Sequence, residues 1–411
     1  MRAAFQKTVL PGGLRVVSER MRGVRSVSIG VWVYGGSRQE KRDRGGITHL
    51  LEHMLFKGTR TRTAYAIATS LESVGGHLNA FTEREFTCFY AVVLDENLDL
   101  AVDVIADAIQ HSVVSSADLE NEKRIVFEEI KNLEDNPEDT VHEAFLHLVF
   151  GDHPLGSSTL GTVESIRRLR RADLLTHHRN HYVPQNIIVA ASGRLDHNRL
   201  VDRIQRRFRD LPKGRPEADR TVSFGPPRTQ SLRRPVKQAH LVTGVPAFAY
   251  TDAKKFPLIV LDIYMGGGMG SRLFQTLREK QGLSYAVYSF LDFWSDTGLW
   301  GVYAGTSPEL SGKAEVSIDR EFDRIVKKGI PLQALRRIKT QITRGMILML
   351  EDPSSRMNRL AKMEAYTGRY SRVGDVISRI ASVTADDVRK TAEALLGARK
   401  RFTVLLEPKS R

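Results

Sequence analysis

A helix-like run that ends in Glu-Asp and a proline occurs twice in this chain. The first copy, NEKRIVFEEIKNLEDNP, reaches Glu134-Asp135 just before Asn136-Pro137. The second, RIKTQITRGMILMLEDP, reaches Glu351-Asp352-Pro353. Glu351 lies 217 positions after Glu134 (351 − 134). A repeat of that length implies duplicated domains rather than a solenoid of short units, and 411 residues are enough for two. Between the copies, Leu211 to Lys237 is rich in Pro, Gly and Arg and lacks helical periodicity, so it reads as a linker. The expected organisation is a first domain over 1–210, a linker over 211–237 and a homologous second domain over 238–411.

Within each half, strands and helices mix. Val24 to Ser37 and Thr87 to Leu94 are β-branched, aromatic and partly alternating, as strands are. Leu98 to Ser112 and Ala117 to Asp135 show 3.6-residue periodicity. In the second half, Ala239 to Phe248 and Gly298 to Thr306 read as strands, and Phe256 to Gly266 and Arg336 to Asp352 as helices. KTVL, PGG and LRVVSER near the start read as strand, turn and strand, which is preferred over a basic transit peptide. Strand runs and helices without strict βαβ alternation imply an α+β fold, with an antiparallel sheet and packed helices in each half.

GGITHLLEHMLFKGT (Gly45 to Thr59) puts His49, Glu52 and His53 into an otherwise apolar run. On a helix the two histidines, four apart, share one face, and zinc is well served by two nitrogens so placed. Glu52 lies about 60° round the axis from His49. There it can act as general base toward a water that the metal acidifies. Composition alone yields a His-x-x-acid-His somewhere in such a chain about 4% of the time, so the motif needs a third ligand. A pair of core histidines satisfied by backbone carbonyls is the alternative.

A catalytic zinc usually takes three protein ligands. In LENEKRIVFEEIKNLED, Glu122 and Glu129 fall on the same helical face as Ile125, Val126 and Leu133, while Glu128 falls away from it. An acid on a buried face requires a partner. Glu129 is therefore the better ligand, Glu128 its solvated neighbour, and Glu122 is placed to orient a ligand histidine. Pairing of Glu122 and Glu129 with buried arginines is the competing reading.

The order His-x-x-Glu-His, with E-x-x-x-x-x-x-E about 75 residues later, resembles the pitrilysin or insulinase family of zinc metallopeptidases, the inverted zincins. Within it, the likeness is to short members related to mitochondrial processing peptidase, and it covers nearly the whole chain. The resemblance implies two homologous α+β domains forming half of a clamshell around a closed chamber. It implies one Zn2+ per chain, held by His49, His53 and Glu129, with Glu52 as the base and Glu122 supporting the site. GGHLNAFTERE matches a family segment in which Asn79, Ala80 and Phe81 lie on an edge strand that binds substrate backbone by strand addition; from the residues alone it is a strand after a glycine turn. LREKQGLSYAVYS places Arg278 and Tyr285 on a family Arg/Tyr pair that reaches the substrate, where both can donate to a developing oxyanion. Structural work by a helix-terminal arginine and a strand tyrosine is the plainer account. Applying the 217-residue offset to His49 leads to Gly266, in GGGMG. Gly266 to Gly268 resemble the position of a substrate-loop glycine run, but a helix C-cap is more economical, and no Gly-Lys-Ser/Thr follows to make a phosphate loop. One chain carrying both the metal set and the Arg/Tyr pair implies a homodimer acting on peptides.

The net charge of +14 comes from Lys and Arg scattered without any nucleic-acid motif, so no nucleic-acid partner is expected. No apolar stretch is long enough for a membrane helix, and no membrane partner is expected. The single cysteine, Cys88 in FTCFYAVV, excludes an intrachain disulfide and reads as a small buried hydrophobe. One thiol suits a reducing compartment, and a cytoplasmic location is expected. A non-catalytic assembly subunit of the same fold is the rival to a peptidase.

Overall fold

The computed structural model describes residues 4–214, 220–398 and 400–409. Eleven strands are described: β1 Ala4–Val9, β2 Arg15–Arg20, β3 Ser26–Tyr34, β4 His77–Thr82, β5 Phe86–Leu94, β6 Ile187–Gly193, β7 Thr229–Arg234, β8 Ala239–Ala247, β9 Ala286–Phe293, β10 Gly298–Thr306 and β11 Phe402–Pro408. The α-helices are α1 Ile47–Leu55, α2 Ala64–Glu72, α3 Leu98–His111, α4 Ser116–Asp135, α5 Pro137–Phe150, α6 Val163–Arg168, α7 Arg171–His181 and α8 His197–Arg207 in the first half. The second half has α9 Lys255–Gly266, α10 Ser311–Lys328, α11 Leu332–Met349, α12 Pro353–Thr367, α13 Val373–Ser382 and α14 Ala385–Leu396. No described helix is long and apolar enough to cross a membrane.

The strands form two sheets, ordered β1-β2-β6-β3-β5-β4 and β7-β11-β8-β10-β9. In each, one pair is parallel (β2 with β6, β7 with β11) and the other pairs are antiparallel. The second sheet thus repeats the order of the first without β1. The central strands β3 and β10 are buried along nearly their whole length; with both faces covered, their sequences alternate only in part.

The two compact units are not the sequential halves. One comprises residues 1–131, 157–220 and 348–370; the other comprises 132–156, 221–347 and 371–411. The halves exchange a helix. In the first unit α12 lays Met357, Leu360 and Ala361 on Val17, Trp32, Phe86, Cys88 and Ala190. Glycine at 30 makes room for it, since a Cβ there would stand 2.7 Å from Met357 Sδ. In the second unit α5 lays Val141, Phe145 and Val149 on Val242, Tyr303, Phe402 and Val404. The repeated Glu-Asp…Pro is the junction that starts each exchanged helix. Asn136 and Asp352 are N-caps, accepting from the backbone of Glu138 and Ser355, and Pro137 and Pro353 occupy the first turn.

Three expectations are corrected. The domain boundaries of 1–210 and 238–411 miss the helix exchange, because a contiguous reading cannot see which sheet a helix covers. The stretch 211–237 is not wholly a linker: β7 lies in it, while residues 215–219 fall outside the described residues. The fixed offset also slips. By its place after the corresponding strand, the counterpart of α1 is α9. The connection from Tyr34 to Ile47 is 13 positions (47 − 34), but that from Ala247 to Lys255 is only eight (255 − 247). His49 therefore matches a position inside α9, not Gly266. The second half still offers no histidine at that place, because α9 holds none, and Gly267 caps the helix as the economical reading has it.

Candidate metal centre

Helix α1 is fixed in place before any metal is considered. Ile47, Leu50, Leu51, Met54 and Leu55 bury one face in the core of the first unit. Its N-cap, Gly46, has φ +83°, and a Cβ there would come within 2.4 Å of the Leu160 carbonyl oxygen. With no side chain at the cap, the orphan donors of the first turn go elsewhere. The buried Glu40 carboxylate accepts from Gly46 N at 2.8 Å and Thr48 N at 2.9 Å. Burial pushes Glu40 up to about 7, with those hydrogen bonds pulling the other way.

The other face presents His49, Glu52 and His53. The imidazole centroids are 4.5 Å apart. Glu129, on α4, faces both rings: its Oε2 is 3.8 Å from His49 Nε2 and its Oε1 3.8 Å from His53 Nε2. One potential ligand atom from each residue lies within 4.8 Å of the others. A separation of 3.8 Å is too long for a hydrogen bond, but two atoms each about 2.0–2.1 Å from a shared zinc stand under about 4.2 Å apart. Glu129 Oε2 is buried without a hydrogen-bond partner among the described residues. His49 is held down at about 4, mainly by burial and then by His53, so its ring is neutral near neutral pH and its lone pair is available. The donor set and the orphaned oxygen fit a zinc ion.

Glu122 occupies the place behind His53. Its Oε2 is 3.1 Å from His53 Nδ1, and its Oε1 is 2.7 Å from Lys57 Nζ. The acid is therefore paired, but with lysine and histidine rather than arginine. Glu128 is exposed, as the helical wheel has it. Ile125 is also exposed, at 44%, so the apolar face of α4 is narrower than its periodicity suggests. Glu52 is buried and accepts from Thr82 Oγ1 at 2.5 Å. Burial raises its pKa, partly offset by Thr82 and His53.

Asn79, Ala80 and Phe81 lie on β4, the edge of the first sheet, paired on one side with Tyr90, Phe89 and Cys88. Arg278 lies in a π-helical turn, Phe274–Lys280, stacked 4.9 Å over the Phe274 ring and near Glu279. Tyr285 immediately precedes β9. Both belong to the second unit. The structure thus brings His49, His53, Glu52, Glu122 and Glu129 into one cluster and places Asn79 to Phe81 along an open strand. Sequence reasoning missed Lys57, Thr82 and Glu40. Lys57 was visible as the residue four beyond His53, and Thr82 as the residue following Phe81; nothing local marked Glu40.

Residues 15–163 match the family model described as insulinase (peptidase family M16), and residues 168–342 match the peptidase M16 inactive domain. A zinc protease from Streptomyces coelicolor, described as uncharacterized, is 41% identical over 97% of this chain and 89% of its own length. The chain belongs to peptidase family M16. Uncharacterized zinc proteases of Mycobacterium tuberculosis and Bacillus subtilis are 40% and 36% identical, covering 98% and 93% of this chain and 93% of each relative. Crystal structures of a protease from Helicobacter pylori and of a peptidase M16 inactive domain from Pseudomonas fluorescens share the fold, each with TM-score 0.93. Their identities are 22% and 20%, over 99% of this chain and 100% and 98% of theirs. A chain of complex III from Candida albicans shares it at TM-score 0.84 and 20% identity, over 98% and 95%. Membership of peptidase family M16, whose relatives here are named zinc proteases, accords with a candidate metal set that, among the described residues, lies in the half matching the insulinase model.

Proposed function

We propose that this M16 chain is a zinc-dependent endopeptidase with one zinc ion per chain, held by His49, His53 and Glu129. A zinc ion in that position supplies Lewis acidity toward water and toward the scissile carbonyl. The other steps belong to the protein. Glu52, whose carboxyl burial pushes above its ordinary value, takes a proton from the attacking water and returns it to the leaving amine nitrogen. Thr82 fixes the carboxylate that does so. Glu122, braced by Lys57, orients the His53 ring. The free edge of β4 at Asn79 to Phe81 binds substrate backbone as an added strand, which requires an extended, unfolded peptide. Arg278 and Tyr285 donate to the carbonyl oxygen as it becomes negative.

The observation that carries this reading is the trio of ligand atoms within 4.8 Å, with a buried carboxylate one residue from His53. We infer unfolded peptides or presequence-like segments as substrates, a homodimer enclosing a chamber as the working form, and the cytoplasm as its place. An assembly role of the kind suggested by the fold shared with complex III would not require an intact trio. Glu52→Gln tests the proposal. The variant should keep stoichiometric zinc by elemental analysis and lose hydrolysis of an unstructured peptide; cleavage at the wild-type rate would remove Glu52 as the base.

A further inference from the structure

Behind Tyr285 lies a line of hydroxyl and imidazole groups. Gly305 and Tyr303, two apart on β10, share one face of the second sheet. Gly305 sits opposite His240 on β8 and Ala286 on β9, and Tyr303 sits opposite Tyr288. The Tyr285 ring lies flat across Gly305: a Cβ there would stand 2.6 Å from both its Cζ and its Oη. The backbone is fixed in step, because Tyr285 N and Ser284 Oγ both donate to the Gly305 carbonyl, at 3.2 and 2.7 Å. The Tyr285 hydroxyl then meets the buried Tyr303 hydroxyl, and Tyr303 Oη stands 2.8 Å from His240 Nδ1. The Tyr303 ring packs against both Tyr288, stacked at 4.9 Å, and His142, stacked at 5.7 Å, which also lie 6.1 Å from each other. Tyr288 is itself held by Glu138 Oε1 at 2.6 Å.

We propose that His240 and Tyr303 are positioning residues that turn the Tyr285 hydroxyl into a fixed outward donor. In this relay His240 Nδ1–H donates to Tyr303 Oη and Tyr303 donates to Tyr285 Oη. The hydrogen of Tyr285 is left directed away from the sheet. Chained donors polarise one another, so the last hydroxyl is both oriented and strengthened. The direction of the chain agrees with the Tyr303 proton, which burial and then the bond to Tyr285 hold on well above the usual tyrosine range. Burial lowers His240, which keeps it neutral and leaves it one N–H to give. The ring cradle requires glycine at 305. This inference rests on Tyr285 acting on the substrate carbonyl.

The test is a double-mutant cycle in the full-length zinc-loaded protein with a short internally quenched peptide. Tyr285→Phe should lower kcat by about 100-fold, the loss of one oxyanion donor. Tyr303→Phe should lower kcat about 10-fold with KM unchanged, and should cost nothing further in the Tyr285→Phe background. Gly305→Ala, which removes no polar atom, should behave like Tyr303→Phe. In a Glu52→Gln background, Tyr303→Phe should leave the Kd of a fluorescein-labelled unstructured peptide unchanged, since the donor acts on the transition state. If Tyr303→Phe fails to fold, His240→Leu against His240→Asn answers the same question: the asparagine amide replaces the Nδ1 donor and should restore the rate. Full activity of Tyr285→Phe would overturn the role of Tyr285 itself. A damaged Tyr285→Phe beside a fully active Tyr303→Phe, or losses that multiply in the double variant, would overturn the relay alone.

Discussion

Glu122 Oε2 stands 3.1 Å from Nδ1 of His53, on the side of the ring away from Glu129. That contact fixes which imidazole nitrogen carries the proton, leaving Nε2 bare toward the cluster. Removing such a partner usually costs about 10–100-fold in metal affinity. Glu122→Gln should therefore weaken zinc about 10-fold in a competition titration. Glu129→Gln should weaken it more, and Glu128→Gln should leave it unchanged. Equal affinities for the Glu128 and Glu129 variants would show that α4 presents the wrong face.

Thr82 donates to Glu52, which stabilises the carboxylate and opposes the upward push of burial. Thr82→Val removes the donor and keeps the shape. The Glu52 pKa should rise further, and the acidic limb of the kcat/KM profile should move to higher pH. An unmoved limb would mean that another group sets it.

Glu40 and His49 make opposite contributions to stability in the metal-free protein. The folded-state pKa of Glu40 is raised from 4.5 to about 7. Between those values the native state binds more protons, so this contribution is full below about 4.5 and is lost as pH rises through 7. His49 is lowered from 6.5 to about 4. Between those values the unfolded chain binds more protons, so this contribution is present above 6.5 and is lost as pH falls toward 4. Each is on the order of 3 kcal/mol at full extent. Relative to the wild type, Glu40→Gln should gain stability as pH rises from about 4.5 to 7 in denaturant titrations. A pH-independent difference would show that Glu40 does not titrate there.

Met357 fills the space above Gly30, and Trp32 Nε1 lies 3.3 Å from its sulfur. Met357→Ala should cost about 2–5 kcal/mol in chemical denaturation, as buried truncations do. A loss below about 0.5 kcal/mol would show that α12 contributes little to the first sheet.

Much of the fold was legible because local rules agree with it. Gly298 to Thr306 is a strand with the bounds read from its β-branched and aromatic residues, and Leu98 to Ser112 is a helix to within one residue. The candidate site was half legible. His49, Glu52 and His53 are one helical turn apart, so spacing alone joins them, and a wheel separates Glu129 from Glu128. Lys57 and Thr82 contribute through single contacts that no period encodes. Glu40 reaches the first turn of α1 across a chain segment with no regular pattern.

The sequence by itself determined the duplication, the element types and which side chains make up the candidate metal set, because those depend on side-chain type and on spacing within one helix. Only the tertiary structure decided which helix covers which sheet. It also decided that Glu129 closes on both histidines from a second helix and that Tyr303 stands behind Tyr285. Those relations join segments far apart in the chain, and they are set by which apolar faces bury together and which polar atoms are left needing a partner.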